Sequence, residues 1–76
     1  MAELVASIAR ALVDNPAAVS VQEHDSEGET VLELRVHPDD MGKVIGKQGR
    51  IAKAIRVVVK AAAAKTNKKV SVEIIQ

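Results

Sequence analysis

Two glycines three positions apart, Gly46 and Gly49, constrain this chain more than any other feature. They lie between a short apolar segment and a long helix-patterned one, in the stretch Val44-Ile45-Gly46-Lys47-Gln48-Gly49-Arg50-Ile51. Glycine lets the backbone turn sharply and removes side chains that would hold a ligand away. The pair predicts a tight turn between two helices instead of one continuous helix. A helix opening at Arg50 turns its unpaired N–H groups and the positive end of its dipole toward that turn. A phosphate is the natural occupant of such a place, and Lys47 and Arg50 bring full charges to it. A P-loop is excluded by spacing: G-x-x-x-x-G-K-[ST] is required. Here Gly42 to Gly46 is one residue short, and Gln48 stands where the metal-binding hydroxyl belongs. The tetrapeptide alone fits an ordinary helix–helix turn equally well, because Gly-x-x-Gly is a weak motif.

At 76 residues the chain is expected to form a single domain over 1–76. A chain this short hides only about 60% of its unfolded surface, so its core is small. Without cysteine there is neither a disulfide framework nor a thiolate metal site. His24 and His37 are far apart and lack companions at ligand spacing, so they read as solvated strand residues. No metal and no cofactor is expected. The apolar residues near Met1 are interrupted by Glu3, Ser7, Arg10 and Asp14, unlike a signal peptide. No run approaches the ~20 apolar residues of a membrane span. The expectation is a cytoplasmic protein with no membrane partner. The net charge of +1 hides an asymmetry. Up to His37 two basic residues face seven acidic ones; from Pro38 onward nine basic residues face three acidic ones. The basic half carries the glycine pair, which suggests a polyanion partner.

Along the chain, Leu4, Ile8 and Leu12 recur every four residues with Val5 and Ala11 beside them, predicting an amphipathic helix over 2–14. Asn15-Pro16 ends it. Val19 and Val21 alternate with Ser20 and Gln22 as in a half-buried strand, and Asp25-Ser26-Glu27-Gly28 is a turn signal. Over 29–37 the alternation is strict, with Leu32, Leu34 and Val36 on one face. The two strands are read as a hairpin. His37-Pro38-Asp39-Asp40 opens a short helix with acidic residues in its first turn, where the dipole favours them; Met41, Val44 and Ile45 form its apolar side. After the glycines a helix runs over 50–65. Its expected core stripe is Ile51, Ala54, Ile55, Val58 and Ala62, and its basic edge Lys53, Arg56 and Lys60. Val57, Val59, Ala52, Ala63 and Ala64 are then partly left over, which predicts self-association. Val70, Val72 and Ile74 alternate as a final strand.

The order is αββααβ, an α+β fold. The crossover to the last strand is long enough for a parallel, right-handed connection. Three helices are then expected on one face of a three-stranded mixed sheet. The other face is polar (Ser20, Gln22, Glu33, Arg35, Ser71, Glu73), and without aromatic residues it argues against an RRM.

The αββααβ order with Gly-Lys-Gln-Gly between paired helices resembles a type II KH domain. The opening Leu12-Val13-Asp14-Asn15-Pro16 and the stretch MGKVIGKQGRIAKAIR from Met41 to Arg56 resemble, more closely, the small KhpA family of bacterial RNA-binding proteins. The resemblance covers the whole chain. It implies a groove in which the Gly46–Gly49 loop holds about four nucleotides of single-stranded RNA. The loop amides, Lys47 and Arg50 would take phosphates, with Gln48 in the turn, Lys43 and Lys53 flanking, and Ile45 on the floor with Ile51 or Ile55. It further implies a role as RNA chaperone or post-transcriptional regulator, a homodimer, and a heteromeric KH companion of the KhpB (Jag) type. The rival reading is a dimerisation or scaffold module whose glycine loop is only structural; salt-dependent binding to short single strands separates the two. An enzyme is not expected. Asp39 and Asp40 are adjacent at a helix start and read as capping charge, and no nucleophile–base pair is apparent.

Overall fold

A computed structural model describes residues 1–75. Helix α1 spans Ala2–Leu12, shorter than the predicted 2–14 because Val13 is already extended. A 3₁₀ turn at Pro16–Ala18 leads into β1, Ser20–Ser26. Strand β2 is Glu29–Arg35, and Glu27-Gly28 forms a two-residue turn with φ of 51° and 79°. Positive φ at both central positions is the turn geometry that matches the twist of a hairpin. Pro38–Asp40 is a single 3₁₀ turn, followed by α2, Met41–Ile45, and by α3, Arg50–Ala64. Strand β3 is Lys69–Ile75. Asn67, with φ of 60°, ends α3: its N–H donates to Ala64 O and that of Lys68 to Ala63 O. This is the Schellman pattern with asparagine in the position glycine usually holds.

The sheet order is β1-β2-β3. β1 and β2 are antiparallel; β2 and β3 are parallel, with Leu32 opposite Val72 and Leu34 opposite Ile74. The inward sets predicted for the two strands therefore fall in register. The three helices pack on one face, and the core joins Val5 and Ala9 of α1, Leu32 and Leu34 of β2, Val44 of α2, Ile55 and Val59 of α3, and Val72 of β3.

Both long helices are rotated from the stripes their large residues suggest. In α1 the buried residues are Val5, Ala6 and Ala9, while Leu4 and Leu12 are each more than one-third exposed. In α3 they are Ala52, Ile55, Val59 and Ala63; Val58 is 46% exposed, Ala54 is exposed, and Ile51 and Ala62 are half-buried. The expected α3 stripe holds at Ile55, and in part at Ile51, which is half-buried and packs against the core. Small residues on the inner faces are consistent with helix backbones lying close to the sheet, and the bulkier residues stand beside the core. Valine 59 and its neighbour should differ accordingly. Val59→Ala is expected to cost about 2 kcal/mol, and Val58→Ala no more than about 0.5 kcal/mol. Urea unfolding followed by circular dichroism checks this, and equal losses would return Val58 to the core.

Candidate functional site

The loop between α2 and α3 is built from three unusual backbone conformations. Gly46 has φ 76° and ψ 174°, Gln48 φ 58° and ψ 25°, and Gly49 φ 74° and ψ 15°. The Gly46 N–H donates to Gly42 O at 2.9 Å, hooking the loop onto α2, and the Gly49 N–H donates to Gly46 O at 3.2 Å. No side chain caps α3, so the amides of its first turn stay available to an anion. Ile51 lies directly under Gly46.

Lys47, Gln48, Arg50 and Lys53 are exposed, and Gly46 and Gly49 half-buried. Lys47, Arg50 and Lys53 have no acidic partner among the described residues. Ile45 points an exposed apolar side chain beside them, whereas Ile55 is core. From the loop, the basic edge Lys53, Arg56 and Lys60 runs along α3 toward a groove of about 540 Å³ between α3 and β3. Arg56, Lys60, Lys68 and Lys69 give that groove four cations against one acid, Glu29. Arg56 Nε donates to Val72 O at 3.3 Å across it. The sequence placed Arg56 on this edge without giving it a part in the site; its reach to a strand carbonyl depends on the position of β3.

Lys43 is placed differently. Its ammonium pairs with Asp14 and lies 4.0 Å from Asp40 Oδ1, so its charge is engaged within the chain. Asp40 is only 1% exposed. Its carboxylate makes no capping bond to α2. It accepts instead from Asn15 N at 3.0 Å, Asn15 Nδ2 at 3.1 Å and Asp14 N at 3.3 Å. The capping role expected of the Asp39-Asp40 pair thus does not describe Asp40. His37 is the residue that caps, its Nδ1 accepting from Asp39 N at 3.1 Å. The donors to Asp40 lie 25 and 26 residues away in the chain, so local pattern held no sign of them.

Burial alone would push the Asp40 carboxyl up. The bonds from the Asn15 side chain and from the Asn15 and Asp14 amides, together with the Lys43 charge, outweigh it and hold the group below its ordinary value. The hydrogen bond to Asp14 raises Lys43 above its ordinary range, despite desolvation, and the charges of Asp14 and Asp40 add to this. A depressed folded pKa means that the contribution of Asp40 to stability is fully present above an unfolded value of about 3.9. It is lost as pH falls through the lower folded value. Lys43 behaves oppositely, contributing below about pH 10.4 and fading as pH rises through its raised value. Asp40→Asn is therefore expected to melt below the parent at pH 7, with the gap closing as the pH is stepped toward 3. Circular dichroism melts measure this directly; a gap independent of pH would show that the carboxylate charge contributes nothing.

Paired helices around a Gly-x-x-Gly turn, laid on a three-stranded sheet of order αββααβ, define a type II KH domain. The profile of the KhpA/KhpB KH-domain family matches residues 2–74, and the chain belongs to that family. It is 68% identical to the RNA-binding protein KhpA of Clostridium perfringens, over 99% of this chain and 100% of that one. It is 64% identical to the RNA-binding protein KhpA of Caldanaerobacter subterraneus, with the same coverage. Among solved structures, Aquifex aeolicus Era bound to GDP·AlF4⁻ superposes with a TM-score of 0.60 at 22% identity. The match covers 96% of this chain and 28% of that one. Era in complex with MgGDPNP and nucleotides of 16S ribosomal RNA gives 0.59 at 19% identity, covering 97% and 30%. The chain spans less than a third of either Era structure, and the likeness shows the shared fold alone.

Proposed function

We propose that the chain binds single-stranded RNA without catalysis. The loop amides, Lys47, Arg50 and Lys53 receive phosphates, and about four nucleotides lie against Ile45 and the helices. The observation that carries this reading is the unpaired charge. Lys47, Arg50 and Lys53 stand exposed around the turn with no acidic partner among the described residues, while Lys43, one turn earlier, is ion-paired with Asp14. Relatives named RNA-binding proteins over their full length support it. A role as RNA chaperone or post-transcriptional regulator in the cytoplasm follows from the same reading; among the described residues no helix is long and apolar enough to cross a membrane. Titration of a fluorescent single-stranded RNA at several salt concentrations tests it. A slope of log K against log salt near −2, as three phosphate contacts at about 0.7 each would give, is expected. Salt-independent or absent binding would leave the loop as a structural turn and favour the scaffold reading.

Self-association is part of the proposal, and a specific surface supports it. Val57 is 59% exposed and Val58 46%. Ile8, Leu12, Ile51, Ala54 and Val58, together with Arg50, line a largely apolar groove between α1 and α3. Leu12, Ala54 and Val58, which the sequence read as core-stripe residues, are exposed there and offer an outward apolar face suited to a second copy or to a KhpB-type KH companion. Pairing two short grooves also raises avidity with no new RNA contacts. Analytical ultracentrifugation is expected to give twice the chain mass at high micromolar concentration and the chain mass for Val57→Glu/Val58→Glu. A parent that stays at the chain mass would remove the dimer from the proposal.

A further inference from the structure

We propose that Asp40 is a positioning residue for RNA binding: its buried carboxylate, with Lys43, latches the joint between α1 and β1 to α2 and so fixes where the glycine loop stands. The inference rests on the RNA-binding reading above. Helix α2 has five residues, too few to be stable by itself. Its place is set by what holds it. Val44, fully buried, and Met41, half-buried against the core, seat one side of α2. Apolar packing is non-directional, and on a helix this short it leaves freedom to turn. Asp40, at the start of α2, removes that freedom by accepting three hydrogen bonds from Asp14 and Asn15. At the other end of α2, the bond from Gly46 N–H to Gly42 O carries the orientation into the loop.

The same arrangement withdraws Lys43 from the RNA. Its ammonium serves two carboxylates, Asp14 and Asp40, and a phosphate would have to compete with both. Lys43 then acts through the loop's position, whereas Lys47 acts through its charge. The two roles differ in a measurable way. Losing a phosphate contact lowers both affinity and the salt slope, by about 0.7 for a single strand. Losing a positioning contact lowers affinity at every salt concentration and leaves the slope alone.

The test compares the parent with Asp40→Asn, Asn15→Ala, Lys43→Met and Lys47→Ala. Each is titrated with one fluorescent single-stranded RNA across a salt series, and each gives an amide ¹H–¹⁵N spectrum without RNA. Asp40→Asn is expected to bind at least about five-fold more weakly at every salt concentration, with the parental slope. Its Gly46 and Gly49 amide signals are expected to move. Lys43→Met should show the same pattern to a smaller degree, and Lys47→Ala alone should lose slope. A folded Asp40→Asn protein with parental affinity and parental glycine signals overturns the latch. So does a slope loss of about 0.7 in Lys43→Met, which makes Lys43 a phosphate contact. If Asp40→Asn does not fold, Asn15→Ala removes one of the three donors from an exposed residue and carries the same comparison. If the parent itself binds no RNA, the RNA reading fails, and the glycine signals still decide whether Asp40 sets the loop.

Discussion

Replacing Lys47 and Gln48 together by aspartate is expected to abolish RNA binding, by more than about a hundredfold, while the protein stays folded. The fold is spared because both side chains are exposed, and such substitutions shift stability by about 0.5 kcal/mol or less. Gln48 holds a left-handed conformation, φ 58° and ψ 25°, which aspartate tolerates better than most residues. At the surface the change is severe: one positive charge goes and two negative ones appear between Arg50 and the open amides of α3. The field over the turn then repels what it attracted. Lys47→Ala, by contrast, should only weaken binding and reduce the salt slope by about 0.7. Titrations at several salt concentrations, with melts on the same samples, separate the two effects. Parental affinity in the folded double variant would take the loop out of the mechanism.

Gly46→Ala is expected to be the most destabilising single change in the loop, at about 3 kcal/mol or more. At φ 76° and ψ 174° the residue occupies backbone space that is essentially reserved for glycine. A Cβ there would also stand 2.6 Å from Ile51 Cγ1 and 2.9 Å from Ile51 Cβ, so Ile51 must leave its place. For a domain of this size the loss corresponds to a melting point lower by roughly 15 °C or more. Gly49 is a different case. Its φ of 74° and ψ of 15° are ordinary left-handed values, and a Cβ added there meets nothing within 4 Å. Gly49→Asn should cost less than about 1 kcal/mol. The two glycines look equivalent in the motif, yet one is held by backbone geometry and packing together and the other by backbone geometry alone. Similar melting points for the two variants would refute that distinction.

The hairpin, the last strand and the tight glycine turn were legible because each leaves a local mark, and the parallel direction of that strand followed from the length of the crossover. Leu32, Leu34 and Val36 alternate with polar residues, Val70, Val72 and Ile74 do the same, and Gly46 and Gly49 flank polar residues between helical patterns. The rotation of α3 was not legible. Ala52, Ala54, Ile55, Val57, Val58, Val59 and Ala61 to Ala64 leave the helix apolar on nearly every side, so no wheel singles out the face that meets the sheet. Ala52 and Ala63 are buried, small residues that fit an inner face where Val58 does not go. The loop cations were legible from their neighbours in sequence, but the engagement of Lys43 was not. It depends on Asp14 and Asp40, and it exists only once the end of α1 has been carried to α2 by the fold.

The placement of the loop inside the parallel crossover has a consequence for how the protein reaches its working form. The β1–β2 hairpin needs only neighbouring residues and closes within microseconds. The pairing of β2 with β3 joins segments separated by α2, the glycine turn and α3, and contacts this distant in the chain are the slow ones to form. Until β3 docks, α3 lacks the strand it packs against most extensively, and the helix that carries Ile51 beneath Gly46 is not fully seated. The geometry of the turn is therefore expected to be acquired late, with the finished sheet. Grafted alone into another protein, the tetrapeptide Gly-Lys-Gln-Gly would carry the composition of this site without its shape.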